Sequence, residues 1–366
     1  MRKIYNADKI FFWTACSMVL MGFFILASAS MGLLARTNGA DFSSTIVQQL
    51  VFGLIGGGIL FFLALKINYH FWAKYAFPFF ILSFILTALV FSPLGFGHGG
   101  ARRWISAGPV FFQPSEILKL YFILYLAAWI SSKKHGVADF KNDFMPFLAI
   151  SAFAGSLIVL QKDLGTLMVM ISGAIVLFFL GGGKAKHLLL TMVVIAVMTA
   201  GLIYKEPYRW DRLKVFLDPS YDAQGAGYQL RQSMIAIGSG KVFGRGFGMS
   251  IQKFNYLPEP ISDSIFAVFG EEFGFLGGLA LISLFLFFLY KGFRISTRAP
   301  DRFGQLAGSG IVVLIVVQSF INIAAMVGLM PLTGVPLVFV SKGGTALAVA
   351  MLEVGILLNI SKYSRI

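Results

Sequence analysis

The chain has 366 residues, of which 57% are hydrophobic and only 13% charged, with 39 Phe. Soluble domains carry about 25% charged residues, so a water-soluble globular protein is excluded. The formal charge is +14, yet the basic residues flank apolar runs, which points to a membrane surface and away from nucleic acid.

Apolar runs near 20 residues, the length that crosses a hydrocarbon core of ~30 Å, recur along the chain. They lie at 10–32, 46–65, 74–94, 114–131, 145–161, 164–182, 187–204, 264–290, 307–329 and 343–361. The pattern predicts an all-α polytopic membrane protein of about ten transmembrane helices. The first run follows Arg2, Lys3 and Lys9 and ends near the small-residue stretch 27–30. It is too long for a signal-peptide core and more spans follow, so it reads as the first helix. Cys16 is the only cysteine, so no intrachain disulfide forms.

With the N-terminus placed inside, sixteen of the thirty Lys and Arg residues fall in short cytoplasmic segments. The positive-inside rule then sets both termini in the cytoplasm. Two stretches oppose that bias. One is "GFGHGGARRWISAGPVFFQPSEILKL" (95–120), with Arg102, Arg103 and Trp104. The other is 205–264, a large extracytoplasmic loop between helices 7 and 8 that carries Lys253 among its cations. Cationic surface on the outer face suits a polyanionic ligand, because guanidinium groups make forked contacts with phosphate. Interfacial anchoring by Trp and Arg is the plainer alternative. "GSGK" (238–241) lacks the first Gly and the Ser/Thr of a phosphate loop. Its glycines, with those of "GRGFG" (244–248), read as turns or close approach to a helix or the membrane surface. The four histidines are scattered, and no His-based metal site is visible.

Polar residues inside the apolar runs each need a partner. Glu116 and Lys119 are spaced i, i+3 and form a candidate structural polar pair, or else a link to another helix or a cavity wall. Asp163 and Glu353 stand alone in sequence. "YLPEPISDSIFAVFGEEFGFLGG" (256–278) is the richest stretch, with Glu259, Asp263, Glu271 and Glu272. Pro258 and Pro260 delay the helix, so Ser262 or Asp263 is a candidate N-cap. Asp263 also sits at the outer lip directly after the cationic loop, which makes it a candidate base. Glu271 and Glu272 lie about 12–13 Å further along a helix and about 80° and 180° around it. They cannot be its immediate partners and are assigned to packing or a buried polar network.

These stretches carry a resemblance over nearly the whole chain. "GARRWISAGPVFFQPSEILKL" (100–120), "DLGT" (163–166), the run 211–248, "QKFNYLPEPISDSIFAVFGEEFGFLGG" (252–278) and "GLMPLTGVPLVFVSKGGTALAVAMLEVGILLNIS" (328–361) resemble the SEDS family of bacterial peptidoglycan glycosyltransferases. "QKFNYLPE" and "GSGKVFGRGFG" are more similar to its FtsW division branch than to the elongation branch. Departures from the family pattern are Lys342 in "SKGG", Lys162 before "DLGT", and Ser264 after Asp263.

The resemblance implies one integral membrane domain, 1–366, in the bacterial cytoplasmic membrane with its active site facing outward. It implies polymerisation of lipid II into β-1,4 glycan strands by an inverting single displacement, with Asp263 as catalytic base. Arg102, Arg103, Trp104, Lys253 and Glu259 become the expected substrate-binding residues, Glu259 orienting the cationic loop or a metal. No cofactor is certain, and a divalent cation, Mg or Mn, would fit the pyrophosphate. The implied partner is a class B penicillin-binding protein. A lipid II flippase or other transporter, and a non-catalytic scaffold recruiting a periplasmic transpeptidase, are the alternative readings.

Overall fold

A computed structural model describes residues 6–37, 40–98, 101–107, 110–205, 207–218, 221–222, 224–225 and 227–364. Its helices are α1 (Lys9–Thr37), α2 (Ala40–Gln48), α3 (Gly57–Lys66), α4 (His70–Lys74), α5 (Ala76–Ala88), α6 (Pro114–Ser132) and α7 (Met145–Leu160). They continue with α8 (Leu164–Leu180), α9 (Ala185–Lys205), α10 (Pro207–Leu217), α11 (Tyr228–Ser239), α12 (Ile265–Thr297), α13 (Arg302–Met326) and α14 (Gly344–Ser361). A π-helical segment, Gln49–Gly56, joins α2 to α3. Among the described residues seven helical segments are long and apolar enough to cross a membrane, and three shorter apolar ones accompany them. All ten coincide with the predicted runs.

The packing follows from composition. α13 and α14 are buried on most of their surface, while α1, α3 and α12 leave Trp13, Phe62 and Phe275 exposed. In water those rings would be a liability; against lipid tails they are ordinary.

Two features depart from the expected plan. The first is a three-stranded antiparallel sheet, β1 (Gly95–His98), β2 (Ala101–Ala107) and β3 (Val110–Phe112), in order β1-β2-β3. The aromatic and β-branched residues at 96, 104, 105 and 110–112 favour it. Phe96 pairs with Trp104, and Ile105 with Phe112. The second is that 205–264 is built rather than open, because it holds α10 and α11. α11 buries Leu230, Ser233 and Ala236 against the bundle.

Of the glycines of 238–248, Gly240 and Gly244 lie against α12, while Gly244, Gly246 and Gly248 take positive φ, so both the close approach and the turns are present. Gly274 breaks that helix with φ 67° and ψ −164°. Across the break, Arg245 and Gly246 N–H groups donate to the Glu271 and Glu272 carbonyls, at 3.0 and 2.9 Å, and Phe275 N–H donates to the Lys241 carbonyl at 2.9 Å. A Cβ on Gly274 would lie 2.3 Å from the Gly244 nitrogen. Gly274→Ala therefore faces both strain and a backbone clash, and should destabilise the protein by about 1–3 kcal/mol. The check is the thermal transition of the purified chain against Gly58→Ala, whose Cβ would meet nothing within 4 Å and should be neutral or mildly stabilising. Equal transitions for the two variants would remove the break from the list of structural requirements.

Candidate active site

Asp263 lies on the turn that precedes α12, half-buried. Its backbone is held from two sides. The Asn322 amide, from α13, donates to the Asp263 carbonyl and to the Val335 carbonyl, both at 2.8 Å. The Ser341 hydroxyl donates to the Ser262 carbonyl at 2.7 Å, and Lys342 N–H donates to the Ile261 carbonyl at 2.7 Å. The segment between α13 and α14 thus cradles the turn. Its carboxylate is placed differently. The Ser262 hydroxyl donates to Asp263 Oδ1 at 3.0 Å, while the N-cap of α12 is Ser264, with no side-chain capping bond. Asp263 is not the helix cap.

Two guanidinium groups approach this carboxylate. Arg103, on β2, donates from Nη2 to the Lys162 carbonyl at 2.9 Å. Its Nε stands 3.5 Å from Asp163 Oδ2, and Asp163 in turn caps α8 by accepting from Thr166 N–H at 3.1 Å. Gly334, with φ 71°, sits between the charges: a Cβ there would lie 3.4 Å from Asp263 Oδ2 and 3.9 Å from Arg103 Nη1. Arg212, on α10, donates to the Leu332 carbonyl of the same cradle. Burial raises the Asp263 carboxyl above the usual carboxylate range, and the nearby Glu259 charge adds to the rise. The Ser262 hydrogen bond, Arg212 and Arg103 pull it back.

The structure sorts the expected binding residues. Strand alternation separates Arg103 from Arg102 and Trp104, which share the opposite face of β2; Arg102 is exposed and Trp104 half-buried. Lys253 requires a correction. It is fully buried, with Nζ donating to Glu272 Oε1 and the Gly248 carbonyl at 2.8 Å each, and to Ser28 Oγ at 3.2 Å. An ammonium taken out of water must find such partners, so it is a structural cation and not part of the basin wall. Glu259 is exposed, with φ 48°.

Glu271 and Glu272 are architectural, as expected. Glu271 accepts from Ser250 Oγ at 2.7 Å and from Ile251 and Gln252 N–H at 3.2 Å, and its Oε1 lies 3.4 Å from Arg245 Nε. Glu116 and Lys119 form their pair at 2.9 Å, and Lys119 also donates to Gln318 of α13. Gln318 Nε2 donates to the Pro336 carbonyl at 3.2 Å, and Glu353 closes the same small enclosure. Both readings of the pair hold, since it is a local ion pair and a link between helices.

Arg212, Asn322, Ser341 and Gly334 were not singled out in the sequence. Asn322 carried a signal, an amide within an apolar run that it shares with Gln318, and such a group needs a hydrogen-bonding purpose. Among the described residues no group of three or more His, Cys, Asp or Glu side chains converges as a metal site. The cations that act on the Asp263 carboxylate are the Arg212 and Arg103 guanidinium groups.

A bundle of lipid-length helices with a half-buried carboxylate and two guanidinium groups gathered at one end defines an integral membrane protein with a charged basin at its rim. The chain belongs to the FtsW/RodA/SpoVE family of cell cycle proteins, whose profile matches residues 8–366. Its relatives include stage V sporulation protein E of Bacillus subtilis, 40% identical over 87% of each chain. Another is a probable peptidoglycan glycosyltransferase FtsW of Geobacter sp. strain M18, 35% identical over 100% of this chain and 99% of that one. Among solved structures, a chain from a study of polymerization and crosslinking by a peptidoglycan synthase complex aligns with TM-score 0.79 at 25% identity, over 97% of both chains. The rod shape determining protein RodA of Thermus thermophilus aligns with TM-score 0.70 at 25% identity, over 98% of both. The FtsW-named relatives agree with the division-type motifs in the sequence.

Proposed function

We propose that this chain is a peptidoglycan glycosyltransferase that polymerises lipid II into β-1,4 glycan strands, its residues 1–366 acting as one domain of the bacterial cytoplasmic membrane. Both termini face the cytoplasm and the Asp263 basin faces outward. The single observation that carries the reading is the Asp263 carboxylate, freed from helix capping and set against Arg103 and Arg212 over the bare backbone of Gly334.

In the proposed reaction the acceptor sugar's 4-hydroxyl gives its proton to the Asp263 carboxylate as its oxygen attacks the donor's anomeric carbon. The bond from that carbon to the pyrophosphate oxygen breaks, and its electron pair leaves on the pyrophosphate. One displacement converts an α-linked donor into a β-linked product, so no glycosyl-enzyme is needed. Guanidinium groups fixed before reaction stabilise the departing charge, and Arg103 and Arg212 are the proposed donors. A divalent ion, where bound, would add charge stabilisation at the pyrophosphate. Arg102 and Trp104 are the proposed outer contacts to sugar or interface, and Glu259 the group that tunes the base. A class B penicillin-binding protein is the proposed partner, a pairing that the likeness to a synthase-complex chain supports.

A transport path would need its buried carboxylates connected. Glu271 instead sits in its own hydrogen-bonded cluster, and Glu353 lines a separate small enclosure with Glu116 and Lys119, which favours chemistry at the rim. The test is purified full-length protein incubated with lipid II and Mg or Mn, with and without the class B partner, and resolved on a gel. A glycan ladder is expected; no polymer in any sample would overturn the assignment.

The pH profile offers a finer check. Asp263 works as a base only when ionised, so kcat/KM should fall as pH drops through its raised pKa. Glu259→Gln removes a neighbouring negative charge and should move that acidic limb to lower pH. A limb that stays in place or moves up would separate the profile from Asp263.

A further inference from the structure

At the opposite end of the bundle from Asp263, α1 begins, α12 ends and α14 closes. Between them lies a cleft of about 340 Å³ lined by Asp8, Lys9, Lys291, Arg294, Arg298 and Ser361, within the range of small-ligand sites. Among the described residues Asp8 is the one carboxylate in that lining, and it is committed. Its Oδ1 accepts from Phe11 N–H at 2.9 Å, and its Oδ2 lies 3.3 Å from Lys291 Nζ. Lys291 is buried, and Asp8 offsets its charge. Lys9, Arg294 and Arg298 are exposed around the same cleft, and among the described residues none of their three side chains enters an ion pair or hydrogen bond. The cleft is therefore a preformed cationic socket with a fixed, neutralised floor.

We infer that this socket binds the phosphodiester headgroup of an anionic phospholipid in the leaflet facing the termini. The choice of lipid over a soluble phosphate rests on what adjoins the cleft. α1 and α12 pack together directly above it, Phe11 against Phe288 with ring centroids 4.9 Å apart. Their outward faces carry Trp13, 67% exposed, and Tyr290, 60% exposed, with Phe287 also exposed. On α12, Phe287, Tyr290 and Arg294 are spaced i, i+3, i+7 and share one stripe. An acyl chain can run along that stripe while its phosphate meets Arg294 and Arg298, which supply forked donors. Basic pockets between membrane helices on the cytoplasmic side suit such headgroups. The inference is independent of the chemistry at Asp263.

The test uses the full-length protein, delipidated in detergent and titrated with dioleoyl phosphatidylglycerol, bound lipid being counted by native mass spectrometry. Phosphatidylcholine and free glycerophosphate are the comparison probes. Arg294 and Arg298 are exposed, so the double variant Arg294→Ala/Arg298→Ala should keep the wild-type elution and thermal transition. It is expected to bind the first phosphatidylglycerol roughly twenty- to thirtyfold more weakly, with phosphatidylcholine weak in both proteins and glycerophosphate failing to compete. Equal phosphatidylglycerol binding by wild type and the double variant would overturn the proposal. Equal retention of phosphatidylcholine by the wild type would do the same, and displacement by glycerophosphate would overturn the lipid assignment.

Discussion

Asp263→Asn is expected to lower kcat for glycan polymerisation by about 10²–10⁴-fold, the usual contribution of a positioned general base, with KM little changed. The turn should survive the change, because its anchoring runs through main-chain atoms. Asn322 holds the Asp263 carbonyl, Ser341 holds the Ser262 carbonyl, and the carboxylate itself receives the Ser262 hydroxyl. An amide of the same shape can keep that last contact and cannot take a proton from a sugar hydroxyl. Asp263→Glu should retain partial activity, since it keeps the base but displaces it. The measurement is the glycan ladder from lipid II with wild-type and variant proteins matched for elution and thermal transition. Full polymerisation by Asp263→Asn would leave the residue as part of the turn and nothing more.

The second large effect concerns Lys253. Lys253→Met leaves Glu272 buried without its cation, and removing one partner of a buried pair costs about 3–5 kcal/mol. Ser28 and Ser250 still donate to Glu272, but neutral donors do not cancel a charge in that setting. The Gly248 carbonyl loses its donor as well. A clear fall in thermal transition and in yield of monodisperse protein is therefore expected. The double variant Lys253→Met/Glu272→Leu removes both charges and should recover part of the loss, because contacting pairs are not additive. If the double variant were no better than the sum of the singles, the pair would not be coupled. A thermal transition unchanged in Lys253→Met would show that its charge is expendable.

The helices were legible because their signal is long and one-dimensional. Ten apolar runs map onto ten apolar helical segments, and the glycines at 238–248 announced close backbone approach. Asp263 was legible too, since prolines and a preceding cationic stretch isolate it from the apolar run it precedes. The cations were harder. Sequence places Arg103, Arg212 and Lys253 in loops of the same sign, and nothing local says which one turns inward. Two cues were available: alternation along β2 splits Arg102 from Arg103, and the neighbouring carboxylates Glu271 and Glu272 required compensation from nearby cations. The cradle at 332–342 was not legible, because its role depends on main-chain carbonyls meeting Asn322 and Ser341 from elements far away in sequence.

The break in α12 has a consequence in a membrane. A helix entering lipid can satisfy its own backbone only while it is continuous, and in hydrocarbon each orphaned amide or carbonyl is costly. At Gly274 continuity lapses, and partners for the neighbouring backbone come from 241–246, a segment synthesised earlier. The two halves of α12, the first beginning beside Asp263, thus complete their backbone bonding only with that earlier segment in place against them. Loop and helix are coupled at this point, so displacing 241–246 would leave the backbone at the break in α12 without its partners.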